Sequence, residues 1–369
     1  MPKLFVFLLL LITVPVLVVG SFAYWVQSEL TTPVAHSPSG QKFEVPRGSS
    51  PDATVSRLAA AGIIRQVLPL RLYMRVKGRV PVVQAGTYFF PSPISPLGAL
   101  EVLEQGAQPA DRFTLIEGWT RFEIAEAMAG IPTLGLHSAS EALALMNDTS
   151  RIKDLDPQAA NLEGYLYPDT YFILSDTTAR ELIGEMVDRF REIWKAKLEK
   201  RARASGKSVH EVVTVASLIE TEAKLTGERP VIASVIYNRL RLGMPLALDS
   251  TLVYASKLAG AWKHDGKVYQ SDIDRDSPYN TRRVRGLPPG PVGSPGFSSL
   301  WAALNPAKTQ YLYYVRNPAR NDGAHNFYAD AGEFEKGVAA LRNWERERDL
   351  TATRQNKTAA GSAGNAAGR

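Results

Sequence analysis

The chain has no cysteine. Thiol catalysis, a disulfide scaffold and thiolate-ligated zinc are therefore excluded, although the absence does not choose a compartment. Its five histidines, His36, His137, His210, His264 and His325, form no HExxH and no close pair, so no metal site is expected. A GxSxG elbow, a Walker A loop and a GxGxxG turn are missing as well. The usual signatures of serine hydrolases and of nucleotide- or dinucleotide-dependent enzymes go with them, and no cofactor is expected. Charge of one sign is also scarce. The 43 Lys and Arg stand against 37 Asp and Glu, a formal net charge of +6, and the cations are scattered rather than gathered on one helix face. Nucleic-acid binding gains no support from that pattern, and a carboxylate-bearing or polyanionic partner fits it equally well.

Charge is wholly absent from residues 4–25, LFVFLLLLITVPVLVVGSFAYW. As a helix this run is long enough to cross the roughly 30 Å hydrocarbon core of a bilayer. A cleavable signal peptide has a shorter apolar core, about 7–15 residues. VVGSFA weakly resembles a cleavage site, but the apolar run continues through Tyr24 and Trp25, two rings suited to the membrane interface. Lys3 precedes the run, and the first charge after it is Glu29. The positive-inside rule then puts the N-terminus in the cytoplasm and everything after Trp25 outside, with residues 1–30 as an uncleaved anchor.

A polar, proline-containing linker, TTPVAHSPSGQ (31–41), follows. KFEV (42–45) alternates as a strand. Ser50 stands as an N-cap before Pro51, Val55, Leu58 and Ala59 give helical spacing, and Gly62 closes the element. LPLRLYMRVKG predicts a second helix and VVQAGTYFF (82–90) a returning strand. Strand–helix–helix–strand is the order of a LysM-type module, a glycan-binding fold, and equally of a plain small α+β domain. A helix near 95–105 completes this region, 42–110. RFTLIEG (112–118) opens a larger domain, 111–348, with helices near 120–129, 138–147 and 177–203. Between them, in NLEGYLYPDTYFI (161–173), Tyr165, Tyr167 and Tyr171 read as core or as a platform for sugar rings. A helix over 228–243 ends at Gly243, and MPLALDSTLVYA (244–255) sets Asp249, Ser250 and Thr251 in a turn before a short helix. SPYNTRRVRGLPPGPVGSPG (277–296) is a long irregular loop, of a kind more often functional than idle. A helix at 298–307, a strand at 311–317 and a closing helix follow, and the tail 349–369 lacks an apolar period and reads as disordered. The expected fold class is α+β: one transmembrane helix, a small LysM-like βααβ module and a larger mixed α+β catalytic domain.

The chemistry concentrates in ASLIETEA (216–223). Glu220 and Glu222 stand two apart, so on a helix they point about 200° apart and cannot act as a pair on one surface. The apolar stripe there is Val212, Val215, Leu218 and Ile219, and Glu222 lies on its flank, i+3 from Ile219 and i+4 from Leu218. Glu220 falls away from its centre. Glu222 is thus the carboxylate expected to be half-buried, and burial raises a carboxyl's pKa and suits it to general-acid work near neutral pH. The plainer reading is a pair of ordinary helix glutamates, Glu222 meeting a nearby Arg. With the other catalytic signatures absent, acid catalysis on a glycan is the chemistry that most needs one such carboxyl.

These stretches resemble the endolytic murein transglycosylases of the MltG (YceG-like) family. The resemblance rests on ASLIETEA with ERPVIASVIYNRLRLGMPLALDSTLVYA, on SPYNTRRVRGLPPGPVGSPG, on LEGYLYPDTY and on AGTYFF, and it covers nearly the whole chain. It implies a cofactor-free lyase that cleaves the β-1,4 bond between N-acetylmuramic acid and N-acetylglucosamine within a peptidoglycan strand, leaving a 1,6-anhydro end. It implies that the second Glu of the pair, Glu222, is catalytic. Asp249, Thr251, Tyr279, Asn280 and Thr281 are the candidates for the cleft; the alternative is that they cap turns. The family commonly has Lys between the two Glu and Pro after the Asp of the DST turn, where this chain has Thr221 and Ser250, and neither departure is expected to touch the carboxylate. The implied partners are peptidoglycan strands, the membrane through the N-terminal helix, and peptidoglycan synthases (penicillin-binding proteins), with no nucleic acid. The implied location is the bacterial inner membrane, single-pass, N-terminus cytoplasmic and the other domains periplasmic. The rival expectation is a non-catalytic peptidoglycan-binding scaffold of the wall-synthesis machinery.

Overall fold

The computed structural model describes residues 2–36, 42–46, 48–79, 81–106, 111–174, 177–320 and 322–366; the side chains of 2–10, 12, 42 and 349–366 lie outside that description. The chain divides into two units, Met1–Phe113 with Phe172–Thr178, and Thr114–Tyr171 with Ala179–Arg369.

The smaller unit runs α1 (Pro2–Thr31), β1 (Lys42–Val45), α2 (Pro51–Ala60), α3 (Val67–Lys77), β2 (Gly86–Phe89) and α4 (Pro96–Gln105). β1 and β2 pair antiparallel, with Phe43 opposite Tyr88. Helices α2 and α4 start in the same way: Ser50 Oγ accepts from the Ala53 amide, Ser95 Oγ accepts from the Gly98 amide, and a proline stands at the first helical position of each. The two strands and three helices close on Phe43, Val45, Leu58, Leu70, Tyr88 and Leu100. Helix α1 joins that core through buried Leu30, with Val26 packed beside it. Further up α1, Leu11, Val14, Leu17 and Val19 are each more than half exposed. Among the described residues no helix is long and apolar enough to cross a membrane. Part of the charge-free run expected to do so, residues 4–10 and 12, lies outside the described side chains.

The larger unit is mostly helical. Strands β3 (Asp111–Thr114) and β4 (Thr170–Ile173), which pair, each fall across the division of the chain, and between them in sequence the larger unit holds α5 (Arg121–Ala129) and α6 (Ala139–Leu145). After β4 come α7 (Ala179–Ile193), α8 (Glu199–Ser205), α9 (Val209–Glu222), α10 (Arg229–Arg241), α11 (Asp249–Leu258), α12 (Gln270–Ile273) and α13 (Phe297–Leu304). Strands β5 (Tyr313–Arg316) and β6 (His325–Tyr328) form an antiparallel hairpin before α14 (Ala331–Ala366).

Helix α9 is the centre of this unit. Ser208 caps it, accepting from the Glu211 amide at 3.0 Å. Every residue from Val212 to Ile219 is buried, because α13, α10 and α11 all pack on it. The stripe read from the sequence is therefore only part of an enclosed surface, as befits a core helix. The long loop lies along α9: the Val292 amide donates to Ser217 Oγ and the Gly296 amide to Glu220 Oε2. Gly164, at φ +82°, permits the close approach, since a Cβ there would stand 2.6 Å from Pro291 and 2.8 Å from Val213.

Three expectations change. Asp249, Ser250 and Thr251 are not a turn but the first turn of α11. HNFY (325–328), part of the stretch expected to close the fold as a helix, is strand β6, which its aromatic content suits. The backbone of α14 continues as helix through most of the tail read as disordered; alanine-rich sequence favours helix without any apolar stripe.

Candidate active site

Glu222 is the last residue of α9. Two hydroxyls hold its carboxylate. Ser250, in the first turn of α11, donates to Oε1 at 2.9 Å, and Tyr314, on β5, donates to Oε2 at 3.0 Å. Among the described residues it makes no ion pair. The residue keeps part of its surface while the carboxyl itself is enclosed. Burial pushes its pKa above the ordinary carboxylate value, and the negative charge of Asp249 adds to the rise; the two hydroxyl donors and nearby His325 pull the other way without cancelling it. This is a carboxyl that can carry a proton and has open surface beside it.

The hairpin explains why Tyr314 reaches this place. Its cross-strand partner is Phe327, and Arg316 faces His325 two pairs along. Side chains alternate along a strand, so Tyr314, Phe327 and His325 share one face. The rings touch: Tyr314 lies 5.2 Å from His325 and 6.0 Å from Phe327, centroid to centroid. Glu228 fixes the far end by accepting from the His325 amide at 2.9 Å and pairing with its Nδ1 at 2.8 Å. The opposite face, with Tyr313 and Tyr328, packs on Phe334 of α14.

Glu220 does not lie on a solvated face. Its side chain is 5% exposed, and it binds Arg229 at 2.6 Å and the Gly296 amide at 2.9 Å. Its charge is committed to a buried ion pair and to the end of the long loop. Glu163 is a second carboxyl with a raised pKa, pushed by burial to about 7. It is 3% exposed and accepts from the Arg121 amide at the start of α5, so no substrate reaches it. Glu222 alone among these three combines a raised pKa with access.

The other expected site residues divide. Asp249 is exposed, next to Glu222 through the field it exerts, and pairs with Arg282 at 2.6 Å. Thr251, Asn280 and Thr281 are 0%, 0% and 1% exposed. Thr251 and Thr281 share a hydroxyl bond, Thr281 Oγ1 accepts from the Leu248 amide, and Asn280 Nδ2 donates to the carbonyls of Ile273 and Arg275. All three are turned inward, out of reach of a glycan: Thr251 and Thr281 fasten the loop to the start of α11, and Asn280 fastens it to the end of α12. Tyr279 stands elsewhere, 4.9 Å from the Tyr254 ring. Tyr165, Tyr167 and Tyr171 are buried, so that cluster is core and not a sugar platform. Ser250 corrects the expectation that its substitution leaves the carboxylate untouched, since it bonds Glu222 directly. Tyr314 and His325 carried no sequence signal: they lie about a hundred positions away, on a strand pair that only tertiary structure brings back. Among the described residues no group of three or more acidic or histidine side chains could hold a metal ion.

The model of the YceG-like family matches residues 43–340. An endolytic murein transglycosylase of Bacillus subtilis is 34% identical over 318 residues, 81% of this chain and 85% of that protein. An endolytic murein transglycosylase of Streptococcus pneumoniae is 29% identical over 323 residues, 80% of this chain, and the match spans only 58% of that relative's length. The crystal structure of a yceG-like protein from Listeria monocytogenes superposes with a TM-score of 0.55 at 31% identity, covering 81% of this chain and 99% of that one.

Proposed function

This chain belongs to the YceG-like family, and from that premise we propose that Glu222 is the single acid–base of an endolytic peptidoglycan lytic transglycosylase. The enzyme is a lyase acting on murein, like its curated relatives. One observation carries the residue assignment: a carboxyl on a partly exposed residue, raised in pKa, held by two hydroxyls and, among the described residues, paired with no cation.

One such group suffices for the reaction. Protonated Glu222 gives its proton to the bridging oxygen as the bond from the muramyl anomeric carbon to that oxygen breaks. The carboxylate then takes the proton of the muramyl 6-hydroxyl as that oxygen bonds to the same carbon. A 1,6-anhydro ring forms, no water enters, and Glu222 ends as it began. A hydrolase would need a second carboxylate for water or as nucleophile. Here Glu220 is tied to Arg229, and Asp249 to Arg282. Asp249 serves the cleft by favouring the protonated form of Glu222, while Thr251, Asn280 and Thr281 position the cleft wall.

The finer reading is of a membrane-tethered enzyme. The charge-free run 4–25 and the exposed apolar residues along α1 support an anchor. The charge asymmetry around them supports an N-terminus in the cytoplasm and the remainder in the periplasm. There the enzyme trims new glycan strands beside the synthases that make them, and the βααβ order of 42–89 supports a LysM-like glycan contact. The test is to incubate the protein with purified murein and identify the new strand ends by mass spectrometry. Anhydro-muramyl ends support the reading. Hydrated reducing ends contradict the single-carboxylate mechanism, and intact murein favours the scaffold instead.

A further inference from the structure

Helix α11 carries two features on one face. Ser250, which bonds Glu222, and Lys257 are seven residues apart, two turns of helix, so they point the same way roughly 10 Å apart. At the Lys257 end lies a cavity of about 170 Å³ lined by Phe122, Glu126, Lys257, Gly260, Trp262 and His264. Nothing in the acid–base mechanism uses it.

The cavity is built rather than incidental. The chain leaves α11 at Gly260, φ +62°, and turns again at His264, φ +58°, a left-handed conformation that histidine adopts more readily than most side chains. The rest of the loop is tied down: Lys263 sits over the Tyr269 ring at 3.8 Å, Tyr269 OH bonds Asp265, and Asp265 accepts from the Lys267 amide. Lys257 is neutralised by Glu123, whose other oxygen accepts from the Thr120 amide at the start of α5. What remains is polar and unspent. Trp262 presents a ring, T-shaped to His264 at 6.5 Å, and its indole N–H has no protein acceptor among the described residues. The exposed carboxylate of Glu126 likewise has no partner among them.

An aromatic face with a free donor and a free acceptor beside it matches a pyranose ring, which offers an apolar C–H face and equatorial hydroxyl and acetamido groups. The geometry points to a second sugar subsite at Trp262, which takes an N-acetylhexosamine of the same strand whose scissile bond lies at Glu222. It deepens the lytic reading and rests on it for the identity of the strand. Its spacing along α11 is on the scale of a disaccharide, so a strand lying on this face reaches both places. The subsite gives the enzyme hold on the strand's interior, as endolytic cleavage requires.

The test uses the full chain and the N-acetylglucosamine hexamer, which has no muramyl residue to cleave and no stem peptide. Binding is measured by calorimetry for wild type, Trp262→Ala and Trp262→Phe. Wild type is expected to bind, Trp262→Ala to bind roughly ten-fold more weakly, and Trp262→Phe to recover most of the loss, since phenylalanine keeps the stacking face. Equal affinity of Trp262→Ala and wild type, no binding by wild type at millimolar hexamer, or no recovery in Trp262→Phe overturns the subsite. Anhydro-end formation on murein is scored in parallel. Binding through Trp262 without anhydro ends refutes the acid–base reading and spares the subsite; anhydro ends with no effect of Trp262→Ala do the reverse.

Discussion

Glu222 and Glu220 differ by what each carboxylate touches. Among the described residues Glu222 is hydrogen-bonded only by neutral donors, and burial, with the charge of Asp249, raises its pKa against two hydroxyl bonds and nearby His325. Tyr314→Phe removes one bond that favours the charged form, and the pKa should rise further. A general acid works while protonated and fails as pH climbs through its pKa, so the alkaline limb of kcat/KM should move up by about one unit. A limb that stays or moves down would contradict the role given to Tyr314. Glu220→Gln should instead act on stability. It weakens a buried ion pair whose Arg229 is 10% exposed, though Glu117, 3.6 Å away, still faces the guanidinium. A loss of about 1–3 kcal/mol by chemical denaturation is expected, with the pH profile of the folded enzyme unchanged. The sequence spacing told the two glutamates apart correctly in facing but not in surroundings. Nothing local says that α9 is enclosed all round, or that Arg229 turns back onto Glu220.

At the scale of elements, α9 is anchored at its start by His210. Its Nδ1 pairs with Asp156 at 2.7 Å and its Nε2 bonds the Pro289 carbonyl at 2.9 Å, so one side chain ties helix, loop and the 156 segment together. The Asp156 bond raises the His210 pKa, and the same contact, with the Tyr165 hydroxyl, holds Asp156 low against its burial. The folded His210 pKa lies above the unfolded value, so its contribution is full below about pH 6.5 and fades as pH rises through the folded value. The melting-temperature gap between wild type and His210→Gln should therefore be widest between about pH 4.5 and 6 and narrow above neutrality; a gap that widens with pH would mean His210 is neutral in the fold. The capped helix at Ser50–Pro51 was legible in the sequence. The β5–β6 hairpin was half legible. Tyr313–Arg316 alternates in a run of aromatics, but His325–Tyr328 is only four residues long and runs straight into a helix signal.

At the scale of the whole molecule, the N-terminal helix has two jobs in one element. Its first half is the apolar run proposed to sit in the membrane, and its last turns put Val26 and Leu30 into the core of the smaller unit. A fragment starting at Tyr24 should express as a folded protein and keep its turnover on soluble glycan. One starting at Thr32 should lose melting temperature, because burying a leucine is worth about 1.5–3 kcal/mol; equal stability of the two fragments would show that α1 is only a tether. The central claim is narrower than any of this: one carboxyl performs both proton transfers. It is tested most directly by Glu222→Gln, which keeps the shape and both hydroxyl neighbours and removes only the titrating proton. With circular dichroism and melting temperature matched to wild type, the release of anhydro-muramyl ends from purified murein should fall by about 10³-fold or more. Release near the wild-type rate from a folded Glu222→Gln protein would contradict the account.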